Sequence, residues 1–269
     1  MQLRDARVVL TGASGGIGLA ITGVLCAAGA RVLAVARHQE ALLPLLELYP
    51  QNLCWVAADL TFLSDRRKVL TAAQTIGGIN LLINAAGVNH FAMLEQLDDS
   101  EINAMLAVNV SAPICLTKLL LPLLKQADSA MVVNVGSTYG SIGYAGYASY
   151  CATKFALRGF SEALRRELAD TRVSVLYVAP RSTSTSMNST AAQALNDALK
   201  ATVDDPQTVA TAVTQAIAGD RRDLYLGWPE RFFVRLNNLL PHLVDRGLRK
   251  HLPLIRHLSE KPANESSKP

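Results

Sequence analysis

Tyr150 and Lys154 stand four residues apart in the run Tyr-Cys-Ala-Thr-Lys. On a helix, that spacing puts both side chains on one face, one turn apart. A phenol with a reference pKa near 10 keeps its proton at neutral pH, and a neighbouring ammonium favours its ionised form. Lowering the value by ~2–3 units takes about 3–4 kcal/mol of differential stabilisation. A phenol so tuned can give a proton to a carbonyl oxygen, or take one from an alcohol, while hydride moves at the carbon. Such a pair is common on helix surfaces, so its company decides. Gly136-Ser137 closes an apolar run and offers a hydroxyl to the same substrate oxygen. Asn84-Ala85-Ala86-Gly87 closes another, and Asn109 lies inside a helical stretch, where an amide is unhelpful unless it is bonded.

A second constellation lies near the N-terminus: Thr11-Gly12-Ala13-Ser14-Gly15-Gly16-Ile17-Gly18, between an apolar run and a helical one. Glycines there let the chain turn tightly and bring backbone N–H groups to a pyrophosphate at the positive end of the helix. The spacing fits Gly-x-x-x-Gly-x-Gly through Gly12, Gly16 and Gly18, and equally Gly-x-x-Gly-x-x-Gly through Gly12, Gly15 and Gly18. About 20 residues further on, NAD-binding sheets place an acid for the ribose 2′-hydroxyl. Here the stretch reads Ala36-Arg37-His38-Gln39, with no acid before Glu40. A planar, permanent cation at Arg37 suits a 2′-phosphate instead, so NADP(H) is expected rather than NAD(H), and its positively charged nicotinamide ring is expected to join Lys154 in lowering the Tyr150 pKa.

The elements that must position these groups follow from patterning. Apolar runs at 7–11, 31–36, 53–58, 80–84, 130–135, 173–178 and 223–226 read as strands. Helical stretches at 17–28, 39–48, 65–76, 100–125, 148–169, 191–200 and 206–218 separate them. Nearly continuous apolarity marks strands covered on both faces, and strand–helix alternation marks βαβ units. The expectation is an α/β fold: a Rossmann-type, doubly wound parallel sheet flanked by helices, with a C-terminal amphipathic helical extension.

Composition narrows the class. The chain has 269 residues, half of them hydrophobic and 18% charged, which is globular rather than disordered. Cys26, Cys54, Cys115 and Cys151 are far apart with no C-x-x-C pair, so zinc ribbons, disulfide scaffolds and thioredoxin-like motifs fall away, and no metal site is expected. They read as reduced thiols of an intracellular, cytoplasmic protein. The charged N-terminus fits no signal peptide, and the apolar stretch 112–124 is too short to span a bilayer and contains Lys118. From Arg221 onward ten Lys and Arg stand against five Asp and Glu, whereas residues 1–220 hold sixteen against seventeen. A neutral body excludes a nucleic-acid partner.

With these motifs in place, the sequence resembles the short-chain dehydrogenase/reductase family, in its single-domain branch of about 250 residues. The matching motifs are Thr-Gly-x-x-x-Gly-x-Gly at 11–18, Asp59-Leu60, Asn84-Ala85-Ala86-Gly87, Asn109, Ser137 and Tyr150-x-x-x-Lys154. Length and the later motifs favour the Gly12/Gly16/Gly18 spacing over that of sugar-nucleotide epimerases. The resemblance implies Tyr150 as acid/base, Ser137 polarising the substrate oxygen, and Lys154 bonding the nicotinamide ribose. It implies Asp59 on the adenine amine and Asn84 opening the loop that flanks the cofactor, with Leu60, Ala85 and Gly87 beside it. Asn109 would hold a water linking Lys154 to solvent. Relatives are commonly oligomers, which implies a homo-oligomer here.

One segment departs from the pattern. Where the family has Pro-Gly-x-x-x-Thr, this chain reads Pro180-Arg181-Ser182-Thr183-Ser184-Thr185. Pro180, Thr183 and Thr185 remain expected cofactor neighbours, while Arg181 reads as a solvent-facing arginine or a partner for an acidic substrate. His90 reads as a loop histidine near the pocket, and Cys151 as core.

The expected organisation is a dinucleotide-binding domain at 1–227, a basic extension at 228–258 broken by Pro241, Gly247 and Pro253, and a frayed polar end at 259–269. The extension suits its own domain, an anionic lipid surface touched peripherally, or a subunit interface. The function expected is NADP(H)-dependent hydride transfer with a small ketone or secondary alcohol, hydrophobic or acyl-chain in type if the extension borders the site. The rivals are an NADP-binding sensor or scaffold without turnover, and a dehydratase or epimerase on the same fold.

Overall fold

A computed structural model describes residues 1–259; the expected frayed end lies outside them except for Ser259. Seven strands, β1 (Arg7–Thr11), β2 (Arg31–Ala36), β3 (Leu53–Ala57), β4 (Leu81–Asn84), β5 (Ala130–Val135), β6 (Val173–Ala179) and β7 (Asp223–Tyr225), form one sheet. Every pair is parallel and the order is β3-β2-β1-β4-β5-β6-β7. The order reverses between β1 and β4, and ligands of open α/β sheets bind at the carboxyl ends beside such a point.

Alternation along the strands feeds two cores. Val8 and Leu10 face one layer with α1 (Gly16–Ala27) and α8 (Pro206–Ala218), the helix that follows α7 (Thr190–Ala198). Val9 and Leu82 face the other, with α3 (Leu63–Thr75), α5 (Ala112–Lys125) and α6 (Ala148–Glu167). All four of these strand residues are fully buried, so the sheet is covered on both faces, as the continuous apolar runs require. A smaller third cluster gathers around Met105, Tyr147, Tyr150 and Ile255.

Several boundaries differ from the sequence reading. The helix at 39–48 is a 3-10 turn followed by a short α2 (Leu43–Leu48), with Pro44 accommodated in its first turn. The single helix at 100–125 is α4 (Asp99–Leu106), a π turn (Ala107–Ser111) and α5 in continuous succession. The π turn adds a residue to the helical register at Asn109. By length and composition the whole run Asp99–Lys125, 27 residues, is long and apolar enough to cross a membrane, but its inward face packs on the sheet. In the extension, α9 (Glu230–Leu239) and α10 (Pro241–Leu248) part at Pro241, and a 3-10 turn (Arg249–His251) just ahead of Pro253 separates α10 from α11 (Leu252–Ser259), while Gly247 interrupts nothing. An interior glycine costs a helix only about 1 kcal/mol, whereas proline removes a hydrogen bond and clashes. Ser259, read as the start of the frayed end, closes α11, buried, with its hydroxyl bonded to Arg256 O at 3.0 Å.

Candidate active site

A cleft of about 750 Å³ runs along the carboxyl ends of the strands from Arg37 to Tyr150. Its floor is the glycine loop. Gly12 has φ +66°, and a Cβ there would meet the Ala86 backbone at 2.7 Å. A Cβ on Gly16 would meet Thr185 at 2.5 Å, whereas one on Gly15 would meet nothing nearer than Gly12 O at 3.3 Å. Close approach is therefore demanded at Gly16, which favours the Gly12/Gly16/Gly18 reading of the spacing. The N-terminus of α1 has no side-chain cap, so its first N–H groups are left to the cleft, with Ser14, Gly15, Ile17 and Gly18 around them.

Arg37 lines the cleft one residue past β2 and is exposed; among the described residues it pairs with no acid. Asp59 and Leu60 line the same end, with Asp59 Oδ1 accepting from both the N–H (3.0 Å) and the hydroxyl (2.7 Å) of Thr61. Ala85 and Gly87 form the opposite wall, and Pro180, Thr183 and Thr185 cover it. A cleft with an uncapped helix end, glycines whose Cβ atoms would fill it, and an unpaired cation at one end fits a dinucleotide.

Two expected residues stand behind the wall. The Asn84 side chain is buried and points into the protein, where Nδ2 donates to Thr117 Oγ1 (3.1 Å) and Asn134 Oδ1 (2.8 Å). It opens the loop, as expected, without lining the cleft. The loop itself is pinned by Thr11, whose Oγ1 accepts from Ala85 N and Ala86 N at 3.1 and 3.2 Å. Asn109 is fully buried: Oδ1 accepts from Val88 N (2.8 Å), and Nδ2 donates to Val88 O (2.9 Å) and Thr153 Oγ1 (3.0 Å). The π turn swings this amide onto the β4 loop. Gly87 lies between Asn109 and Lys154, and a Cβ there would meet Oδ1 at 3.3 Å and Nζ at 3.6 Å.

Tyr150, Lys154 and Ser137 meet at the other end of the cleft. Lys154 is buried, and its Nζ donates to Val135 O at 3.1 Å. Burial pulls its pKa down to about 8. The same burial pushes the Tyr150 phenol well above its usual value, with the Ser137 hydroxyl pulling the other way. The expected lowering draws on a positively charged nicotinamide ring as well as on Lys154. Nζ stands 5.6 Å from the centre of the Tyr150 ring, and within the protein alone the ammonium does not overcome desolvation.

The turn carrying Ser137 is set by a residue the sequence reading passed over. Tyr177, fully buried in β6, donates from Oη to Ser137 O at 3.2 Å, and its ring leaves no room for a Cβ on Gly136 or Gly140. The only sequence signal was a tyrosine in an otherwise small and aliphatic strand. The substrate end is walled by Val88, Tyr139, Tyr147 and Met187, with His90 at its rim, Nδ1 3.4 Å from Glu101. Cys151 is buried in the third cluster, as expected.

Arg181 is neither solvent-facing nor free for a substrate anion. Its guanidinium meets Asp204 at 2.7 Å and Glu230 at 3.3 Å, and its side chain is 15% exposed. Both acids raise its pKa further. The ion triad ties the loop after β6 to α9.

A family model described as short chain dehydrogenase matches residues 6–196. The chain is 30% identical to the "Uncharacterized oxidoreductase YxnA" of Bacillus subtilis over 98% of this chain and 76% of that protein. It is also 30% identical to the 3-oxoacyl-[acyl-carrier-protein] reductase of Vibrio cholerae, over 79% of this chain and 90% of that one. Among solved structures, a short chain dehydrogenase of Burkholderia cenocepacia in complex with NADP superposes with a TM-score of 0.80 at 25% identity, covering 92% of this chain and 99% of that one. A Burkholderia phymatum homologue in complex with NAD gives the same score at 20% identity over 98% and 100%, which bears on the fold alone. Sheet order, glycine loop and the Tyr150–Lys154 corner agree with that likeness, and the chain belongs to the short-chain dehydrogenase/reductase family of oxidoreductases.

Proposed function

We propose that the protein reduces a hydrophobic ketone to a secondary alcohol with NADPH, and runs the reverse reaction with NADP. The observation that carries this is one cleft joining an unpaired Arg37 to a buried Tyr150–Ser137–Lys154 corner. The bound nicotinamide would supply or accept hydride at the substrate carbon. The glycine loop and the N-terminus of α1 would hold the pyrophosphate, Arg37 the 2′-phosphate, and Lys154 the ribose next to the nicotinamide. Asp59 would take the adenine amine, with Leu60, Ala85, Pro180, Thr183 and Thr185 enclosing the cofactor.

Burial keeps the proton on the Tyr150 phenol, which suits an acid that gives it to a carbonyl oxygen as hydride arrives. The Ser137 hydroxyl beside it donates to the same substrate oxygen and polarises the carbonyl. Lys154, at about 8, carries a proton at neutral pH and lies close enough to restore the balance of charge. Its route to solvent would pass the gap that Gly87 keeps open beside Asn109. Aromatic and aliphatic walls at Tyr139, Tyr147, Val88 and Met187 favour an apolar chain next to the carbonyl, as the similarity to a 3-oxoacyl reductase also does. The Arg181 triad offers no spare positive charge for an acidic substrate.

The test is nicotinamide absorbance with wild type and Tyr150→Phe, on ketones from short to long-chain 3-oxo compounds, with NADPH and NADH. Turnover that needs Tyr150, prefers NADPH and grows with chain length is expected. Tight NADPH binding with no turnover on any substrate would point to a sensor instead, and an NADH preference would remove the role given to Arg37.

A further inference from the structure

In the extension, α9 exposes apolar side chains that a soluble surface buries. Fifteen large hydrophobic side chains are exposed among the described residues, and six of them, Trp228, Phe232, Phe233, Leu239, Leu240 and Leu243, fall within sixteen positions. Leu239 is 79% exposed and Trp228 74%. In α9 the face turned to the body carries Glu230, Val234 and Asn237 at i, i+4, i+7. Glu230 bonds Arg181, and Asn237 Nδ2 donates to Ser141 O at 2.9 Å. The outward face carries Phe232, Arg235 and Leu239 at i, i+3, i+7, with Leu236 half-buried at its edge. A solvent helix does the reverse, burying its apolar stripe and exposing its polar one.

Charge says what the outward face meets. Arg231, Arg235, Arg246, Arg249, Lys250 and Arg256 are all exposed, and none of them has an acidic partner among the described residues. From Arg231 to Leu258 the one acid is Asp245. Apolar side chains with a tryptophan at one end, flanked by unpaired arginines, have the make-up of an interfacial helix on anionic lipid. We infer that α9 and α10 dock the protein peripherally on an anionic bilayer surface, with Phe232 and Leu239 entering the headgroup region and Arg231 and Arg235 on lipid phosphates. Glu230 lines the cleft as well as anchoring α9, so the docked face adjoins the mouth of the site. The inference rests on α9 and α10 themselves and not on the reaction proposed above.

The experiment is co-sedimentation of the full-length protein with sucrose-loaded phosphatidylcholine vesicles, with and without about one third phosphatidylglycerol. Each cation near an anionic leaflet strengthens binding about fivefold, so engagement of Arg231 and Arg235 gives a preference on the order of 25-fold for the anionic vesicles. That preference should collapse at about 1 M salt, where the Debye length is ~3 Å. Phe232→Ser with Leu239→Ser should lose binding at least tenfold, with the thermal unfolding midpoint unchanged because both side chains are exposed. Arg231→Gln with Arg235→Gln, which touches no packed group, should erase the preference for phosphatidylglycerol. Absence of sedimentation with either vesicle, or equal binding to both, overturns the inference. So does a self-associating wild type that Phe232→Ser with Leu239→Ser renders monomeric while vesicles stay unbound, an outcome that assigns the face to a second copy of the chain.

Discussion

Two cations line one cleft and are treated in opposite ways. Arg181 has two carboxylates, at 2.7 and 3.3 Å, and its pKa rises. Lys154 is more deeply buried, has a single backbone carbonyl at 3.1 Å, and its pKa falls to about 8. A cation whose work is to hold a loop onto α9 is best fully paired. One that must bond a ligand and help move a proton is best left short of counter-charge, at a cost to stability. The contrast supports Lys154 as the functional cation of the proposed reaction, and it can be broken from either side.

The largest effect is expected at Lys154. Lys154→Met should lower turnover by about 10²–10⁴, the range of acid–base groups in general, since it removes both the ribose contact and the neighbour of the phenol. Steady-state rates with NADPH and a saturating ketone measure it. A variant within tenfold of wild type would remove Lys154 from the chemistry.

At Arg181 the effect should fall on stability instead. Arg181→Met leaves Asp204 and Glu230 facing each other in a partly buried site, and breaking such a pair costs about 3 kcal/mol. Urea unfolding reads the loss. Turnover well below the unfolding transition should stay within tenfold, because the guanidinium is committed to the two acids.

Arg37 is a third cation in the cleft, exposed and paired with nothing among the described residues, and its counter-charge would be the 2′-phosphate itself. A hydrogen bond to a charged group contributes about 1.5–3 kcal/mol, so Arg37→Ser should raise the KM for NADPH by roughly 10–100-fold and leave that for NADH unchanged. Equal effects on the two cofactors would mean that Arg37 reads something they share.

How much of this was legible beforehand follows the same division. The sheet, the glycine loop and Tyr150–Lys154 were readable because each is written in local pattern: apolar period, glycine spacing, i,i+4 placement. The fate of Arg181 was not, since its partners lie 23 and 49 residues away and no local spacing encodes them. Asn109 was readable as a bonded amide, but the π turn that aims it at Val88 depends on a contact with the β4 loop. Tyr177 was missed because a strand tyrosine gives no hint that its hydroxyl holds the Ser137 turn. The upward push of burial on the Tyr150 phenol was not legible for a related reason. An i,i+4 lysine is visible in sequence, whereas the depth at which both groups are buried is set by the whole third cluster.

The smallest effect sharpens the comparison furthest, because it separates Lys154's stability from its chemistry. The folded pKa near 8 lies below the unfolded value of about 10.4, so between those limits the unfolded chain carries a proton that the native protein lacks. Stability from this group therefore rises with pH across that window, and below about pH 8 the protein bears the full cost of a buried ammonium, about 3 kcal/mol. Lys154→Met removes that cost and forfeits the bond to Val135 O, worth about 1 kcal/mol. The variant should thus be more stable than wild type by about 2 kcal/mol at pH 7, with the advantage gone near pH 9.5. Buried thiols and phenols such as Cys26, Cys151 and Tyr147 have raised values and weaken both proteins alike as pH climbs, so they cancel in the difference. Urea unfolding of the pair at several pH values between 7 and about 9.5 measures it. A constant difference would mean that Lys154 titrates as an ordinary lysine and that the contrast with Arg181 lies only in its partners; a shrinking one ties the catalytic corner to stability given up for function.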